Sequence, residues 1–188
     1  MKYKKYGYFC FVGFGLCIPI ANWLIENVGT TCIPNGPCMI PVGPNIMAPS
    51  GVLMIGLALV LRDLVQRWLG IKWAIIAILI GAGLSGLIAS PQLLMASVVA
   101  FLLSEIADLT VYTPLQKKGL VLAVVVSSLV GLSVDSALFL WLAFGNLDFV
   151  EGQIIGKALM VFAAIPVIYW IRNYELREPN NDSSVAGI

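Results

Sequence analysis

The sequence contains no histidine and few charged residues of either sign. The absence of histidine excludes serine–histidine and cysteine–histidine catalysis, HExxH metal sites and histidine proton relays. Only 11% of the residues are charged, whereas soluble domains average about 25%. The net charge of +1 gives no basic footprint for nucleic acid. The low charge content and the lack of a basic surface exclude a soluble domain and a nucleic-acid partner. No motif in the sequence indicates a cofactor.

The hydrophobic residues, 60% of the chain, collect in six stretches, each about as long as a bilayer-spanning helix. We therefore predict an all-α integral membrane protein with one domain, residues 1–174, and six transmembrane helices. The predicted spans cover about residues 6–25, 49–69, 71–88, 92–115, 120–144 and 153–174. Ser50 is the predicted N-cap of the second span. The polar, turn-rich tail, 175–188, is predicted to be disordered.

The basic residues indicate how the spans are oriented. Lysines and arginines occur before the first span, after the second, after the fourth and at the end of the sixth, and the alternate loops contain none. By the positive-inside rule, both termini are cytoplasmic. The five tryptophans fall near the predicted ends of spans, as in an aromatic belt. We therefore expect a multi-pass protein whose surroundings are the lipid bilayer of the bacterial inner membrane.

Six charged residues lie inside the predicted spans and away from their ends, and isolated burial would cost roughly 3 kcal/mol for each of them. They are Arg62, Asp63, Glu105, Asp108, Asp135 and Lys157. We expect Arg62 to form a structural ion pair with Asp63 or Asp108, or to lie with these acids and Tyr112 along a proton-coupling path. Asp135 and Lys157, at similar predicted depth, form a second expected pair.

Four acids face two bases inside the membrane, so at least two carboxylates lack an internal cation. Such groups are typical of solute or proton pathways. A carboxylate can accept two parallel N–H bonds from a guanine-like edge, although a cation or an amino acid would fit this set of residues too. Glu105 has no obvious cation at its own depth and is therefore the main candidate for substrate binding. Its expected helpers are Asp135, Gln153, Asn22 and Lys157.

The longest outer loop contains Cys32 and Cys38. The compartment outside the membrane is oxidising in most bacteria, so a disulfide between them would close a tight loop. Two free thiols in a turn are the alternative, and the sequence leaves both open.

The residues from about 29 to 169 resemble the queuosine precursor transporter family, also called the VUT family. The segments that carry the resemblance are Pro49–Gly51, Leu61–Gln66, Leu103–Asp108, Val111–Pro114, Val134–Ser136 and Gly152–Lys157. The resemblance implies a six-helix architecture similar to the substrate-binding subunits of energy-coupling-factor vitamin transporters. It also implies import of a small-molecule substrate, 7-cyano-7-deazaguanine or 7-aminomethyl-7-deazaguanine, which are precursors for tRNA modification.

Three other functions stay open at this point. The chain could be the substrate-binding subunit of an ATP-driven transporter, but such subunits hold their partner with alanines spaced along the first helix, which has only Ala21. An intramembrane aspartyl enzyme would use two of Asp63, Asp108 and Asp135, yet no Gly-x-Gly-Asp signature is present, so we expect no enzymatic activity. A membrane assembly factor would not need unpaired carboxylates. The sequence also leaves a homodimer and the energy source open.

Overall fold

The computed structural model describes residues 2–33, 37–88, 94–147 and 149–177. Helices lie over all six predicted segments. They are α1 (Lys2–Asn27), α2 (Val52–Leu69), α3 (Ile71–Ile88), α4 (Leu94–Leu115), α5 (Leu120–Phe144) and α6 (Val150–Arg177). Within these described ranges, five helices are long and apolar enough to cross a membrane, and α2 is not among them. The difference lies in composition, because the 18 residues of α2 include Arg62, Asp63 and Arg67.

A small antiparallel sheet follows α1, and the prediction of an all-α fold did not include it. Its strands are β1 (Thr31–Cys32), β2 (Cys38–Gly43) and β3 (Ile46–Pro49), in the order β1-β2-β3. Cys32 lies opposite Cys38 in the register, and their sulphur atoms form a disulfide. The turn between β2 and β3 contains Asn45 at φ 59°, a left-handed conformation that asparagine tolerates. The sheet thus adds an ordered structure to a segment rich in proline and glycine.

The entry into α2 differs from the prediction. Ser50 is not the N-cap: the cap position is Gly51, and no side chain makes a capping hydrogen bond there. The Ser50 hydroxyl instead donates to the Leu24 carbonyl at 2.7 Å, which ties the end of α1 to the start of α2. The helix begins at Val52 rather than near residue 49 because β3 pairs with β2. The N-terminal end of α2 is therefore shorter than the hydropathy pattern predicts.

Two glycines bring the helices together at the level of the buried charges. A Cβ atom added at Gly56 of α2 would collide with the carbonyl oxygen of Lys157 on α6. A Cβ atom at Gly131 of α5 would lie 2.9 Å from the Cβ atom of Asp108 on α4. Since glycine alone permits such close backbone approach, these positions determine how near Lys157 and Asp108 come to the neighbouring helices.

The far ends of α2 and α6 are joined by polar contacts. Arg67 Nη2 lies 2.9 Å from Glu175 Oε2, and Trp68 Nε1 donates to Glu175 Oε1 at 2.8 Å. Glu175 therefore belongs to α6, which continues to Arg177. Residues 175–177, which we predicted to begin the disordered tail, are helical, and residues 178–188 lie outside the described part of the chain.

Candidate functional site

Arg62 is the centre of a buried cluster of charges. It has no exposed surface, and its guanidinium contacts carboxylates on two helices. Nη1 lies 3.0 Å from Asp63 Oδ1, Nε lies 2.9 Å from Glu105 Oε2, and Nη2 lies 2.6 Å from Asp108 Oδ1. Ser127 of α5 donates a hydrogen bond to Asp63 Oδ2 at 3.2 Å. The sequence led us to expect Arg62 with Asp63 or Asp108, whereas the structure places both acids and Glu105 on it.

The expectation that Glu105 has no cation at its own depth is therefore wrong. It assigned Arg62 to the inner half of the membrane, although the predicted spans 49–69 and 92–115 place Arg62 and Glu105 only about three and about two residues beyond their middles. With α2 beginning at Val52 and α4 at Leu94, Arg62 and Glu105 both lie within about two residues of the middle of their helices, or about 3 Å along the helix axis. Side chains on a helix also tilt toward its N-terminus. In the six-span arrangement α2 and α4 run in the same direction, so both side chains tilt the same way.

The charges in this cluster do not balance. One guanidinium faces three carboxylates, so full ionisation would leave a net charge of −2 (+1 − 3) in a region without solvent exposure. A buried charge without compensation is costly. Tyr112 is also fully buried, and among the described residues its hydroxyl has no hydrogen-bond partner. The arrangement can therefore take up a proton or contact a ligand that donates N–H groups.

A second cluster surrounds Lys157 on α6. Its ammonium lies 2.6 Å from Asp135 Oδ2, 2.9 Å from Ser136 Oγ and 3.0 Å from Gln153 Oε1. An ammonium has three donors, and each has one partner here. Asp135 and Lys157 are thus paired, as the sequence indicated. Lys157 is almost completely buried, while the Asp135 side chain is about one-fifth exposed.

A small cavity lies between the two clusters, and Glu105 and Asp135 both line it. Its volume of about 10 Å³ is that of roughly one water molecule. Each carboxylate binds its cation through one oxygen, Oε2 of Glu105 and Oδ2 of Asp135. In the described part of the chain, the second oxygen of each accepts no hydrogen bond. The other lining residues are Ile55, Ala58, Leu59, Phe101, Ser104 and Leu132.

The remaining predicted site residues lie at different distances from this cavity. Gln153 and Lys157 do not line it: Lys157 donates to Asp135, and Gln153 accepts a hydrogen bond from Lys157. Asn22 is not among the lining residues either, and its amide donates to the Ile18 carbonyl of its own helix at 2.9 Å. A direct role for Asn22 in binding stays a prediction.

Sequence reasoning missed Phe101 and Ser104 as lining residues. Phe101 precedes Glu105 by four positions, and Ser104 precedes it by one. The four-residue spacing puts Phe101 on the same helix face as Glu105, so helical periodicity alone could have identified it.

In the described ranges no three cysteine, aspartate or glutamate side chains are arranged to hold a metal ion.

Comparison with known families points to transport. Residues 86–171 match the family model described as "Putative vitamin uptake transporter". The match covers 86 of the 188 residues, from the end of α3 into α6, and it includes both Glu105 and Asp135. No curated protein and no solved structure matches the chain. With five described helices able to cross a membrane, this similarity indicates a multi-pass membrane protein that resembles membrane transporters.

Proposed function

We propose that the protein imports a queuosine precursor, 7-cyano-7-deazaguanine or 7-aminomethyl-7-deazaguanine, across the bacterial inner membrane. The observation that carries the proposal is the shared cavity of Glu105 and Asp135. These acids come from different helices, and each retains one carboxylate oxygen without a hydrogen-bond partner among the described residues. The site therefore offers two convergent acceptors to a ligand rich in N–H donors.

The chemistry of a deazaguanine matches these acceptors. The N1–H and the exocyclic amine of its guanine-like edge are parallel donors, which a carboxylate accepts well. In this conformation Glu105 has one oxygen free of Arg62, so it accepts one N–H group of this edge, and Asp135 accepts another through its own free oxygen. Lys157 and Gln153 keep Asp135 in position through the contacts at 2.6 and 3.0 Å to the lysine ammonium.

The conformation described here is closed around the site. The cavity has room for about one water molecule, and a bicyclic heterocycle is several times larger. Import therefore requires helix movement that opens the site to each side of the membrane in turn. The disulfide-bonded sheet lies at the proposed outer end, and the Arg67–Glu175 contact joins α2 to α6 at the proposed cytoplasmic end.

The outward face of α1 favours a protein that works without an ATPase partner. Its exposed side chains are large: Phe9, Val12, Leu16, Ile20 and Trp23. Ala21, the alanine that could contribute to a small-residue surface for a partner helix, is 1% exposed. Purified protein in liposomes should therefore accumulate the substrate without any ATPase module, and a requirement for such a module would favour the binding-subunit function instead.

Uptake of labelled 7-cyano-7-deazaguanine tests the proposal in cells that cannot synthesise or import it. Expression of the protein should restore accumulation, and excess unlabelled 7-aminomethyl-7-deazaguanine should compete. The description of the matched family refers to vitamin uptake, so a vitamin is the second candidate substrate. Unlabelled riboflavin, thiamine and biotin belong in the same competition assay. Absence of deazaguanine uptake from well-expressed protein would overturn the proposal.

A further inference from the structure

We propose that Gly81 and Phe101 together set the width of the binding cavity, and that the Phe101 ring supplies the flat face on which a planar ligand stacks. Gly81 then determines how large a heterocycle the site accepts, although it does not line the cavity. This inference rests on the proposed function, because it assigns the cavity beside Glu105 to the substrate.

The Phe101 ring packs closely against α3 and near an aromatic ring of α1. A Cβ atom added at Gly81 of α3 would lie 2.7 Å from Phe101 Cζ and 3.1 Å from Cε1. The ring of Phe14 on α1 lies 6.3 Å away between centroids, at an angle of 46°. The Phe101 side chain thus occupies the space that the missing Gly81 side chain leaves. A side chain at position 81 must displace the ring, and because Gly81 itself does not line the cavity, we expect the displaced ring to move into it.

Phe101 is also the one aromatic residue among those that line the cavity. It lies one helical turn before Glu105 on α4, so a heterocycle that presents its N–H edge to Glu105 can place its face against the ring. Stacking of a base on an aromatic side chain does not depend on which base it is, and it typically increases affinity by about 5- to 150-fold. The hydrogen bonds to Glu105 and Asp135 orient the heterocycle, and the Phe101 ring buries one of its faces.

The chain offers a matched control for Gly81. Gly83 lies on the same helix, two residues further on, and a Cβ atom there would meet nothing within 4 Å. Gly81→Ala and Gly83→Ala therefore make the same chemical change, with and without a clash against Phe101. Both variants improve the helix propensity of α3 equally.

The experiment measures the concentration dependence of 7-cyano-7-deazaguanine uptake together with membrane abundance. We expect Gly81→Ala to raise KM at least about tenfold with near-normal Vmax per protein, and Gly83→Ala to leave KM unchanged. Adding Phe101→Leu to Gly81→Ala should remove the additional effect of the alanine, because the shorter side chain no longer needs the space over position 81. Phe101→Leu alone should raise KM by about 5- to 150-fold through loss of stacking.

Each outcome of these KM measurements either supports or overturns the proposal for Gly81 and Phe101. Equal KM values for Gly81→Ala and wild type, in a wild-type protein that does import the deazaguanine, would overturn the width proposal and leave the proposed function intact. No uptake by the wild type would overturn both. If Gly81→Ala fails to accumulate, the single Phe101→Leu variant takes its place, and an unchanged KM for that variant would overturn the role of the ring.

Discussion

Arg62 Nε donates a hydrogen bond of 2.9 Å to Glu105 Oε2, and this contact joins α2 to α4 near the middle of the helix bundle. Glu105 also lines the cavity that it shares with Asp135. One carboxylate thus connects the fully buried cluster around Arg62 with the place where we propose that the substrate binds. A ligand that changes the charge or position of Glu105 also changes its contact with Arg62. Substrate binding can therefore move α2 relative to α4.

Removal of the Arg62 side chain should destabilise the protein. Arg62→Ala leaves three buried carboxylates without their common cation, and breaking a buried pair typically costs about 3–5 kcal/mol. We expect a marked loss of membrane-inserted protein, measured by immunoblot and fluorescence-detected gel filtration. Arg67→Ala is the control: Arg67 is about one-third exposed, so its single ion pair should contribute at most about 1 kcal/mol.

The number of acids around Arg62 determines what can rescue the variant. Neutralising one acid still leaves two carboxylates together, so Asp63→Asn or Asp108→Asn alone should restore little abundance in the Arg62→Ala background. Both changes together should restore most of it. Full recovery with either single change would mean that the other carboxylates are not charged in the folded protein.

The orientation of the helices is open to direct measurement. Every loop that carries lysine or arginine lies on one side of the six-span arrangement, so both termini should be cytoplasmic. Reporter fusions after Lys118 and at the C-terminus should give a cytoplasmic signal, and a fusion at Asn35 should give an external one. An external signal at the C-terminus would mean that one helix does not cross the membrane, and α2, with its three charged residues, is the first one to examine.

The helix boundaries that the sequence predicts well are those fixed by local chemistry. The predicted segments 71–88 and 120–144 coincide with α3 and α5. Gly70 and Gly119 precede these helices, and Gly145 ends α5 in a left-handed conformation at φ 70°. Glycine at such positions interrupts or caps a helix through its own backbone freedom, so no information from distant residues is needed.

The contacts of the candidate site are harder to predict because they depend on the relative depth of separate helices. A boundary error of three residues at one end moves the middle of a helix by about 2 Å. The unrecognised strand β3 caused such an error for α2, and sorting residues by depth also left out the length of the arginine side chain, which reaches from α2 to Glu105. The Asp135–Lys157 pair was easier to predict, since no unexpected strand changes the bounds of α5 or α6, and the two residues lie in the adjoining halves of these consecutive helices.

The disulfide of the three-stranded sheet should protect its cysteines from alkylation. In a variant with Cys10 and Cys17 replaced by serine, a maleimide should label intact membranes only after a reductant is added, because Cys32 and Cys38 are bonded to each other. Mass spectrometry of the labelled protein is the readout. Immediate labelling at both positions would show that the bridge is absent in the cell, without affecting the assignment of the cavity.

Replacement of Glu105 by glutamine tests the proposed binding site itself. Glu105→Gln keeps the size of the side chain but replaces one acceptor with an amide donor, which would oppose the N–H groups of a deazaguanine. A mismatch of this kind costs about 1–3 kcal/mol, or about 5- to 150-fold in affinity. Folding should tolerate the change, because Arg62 still contacts Asp63 and Asp108 and the cluster loses part of its excess negative charge.

The expected result is therefore normal abundance with uptake of 7-cyano-7-deazaguanine reduced by one to two orders of magnitude. Glu151→Gln is the control, since Glu151 is exposed in the first turn of α6 and the same chemical change there should leave uptake unchanged. Asp135→Asn, with Lys157 still held by Ser136 and Gln153, should reduce uptake less than Glu105→Gln if Glu105 binds the guanine-like edge. Near wild-type uptake by Glu105→Gln together with loss of uptake by Asp135→Asn would transfer the main acceptor role to Asp135.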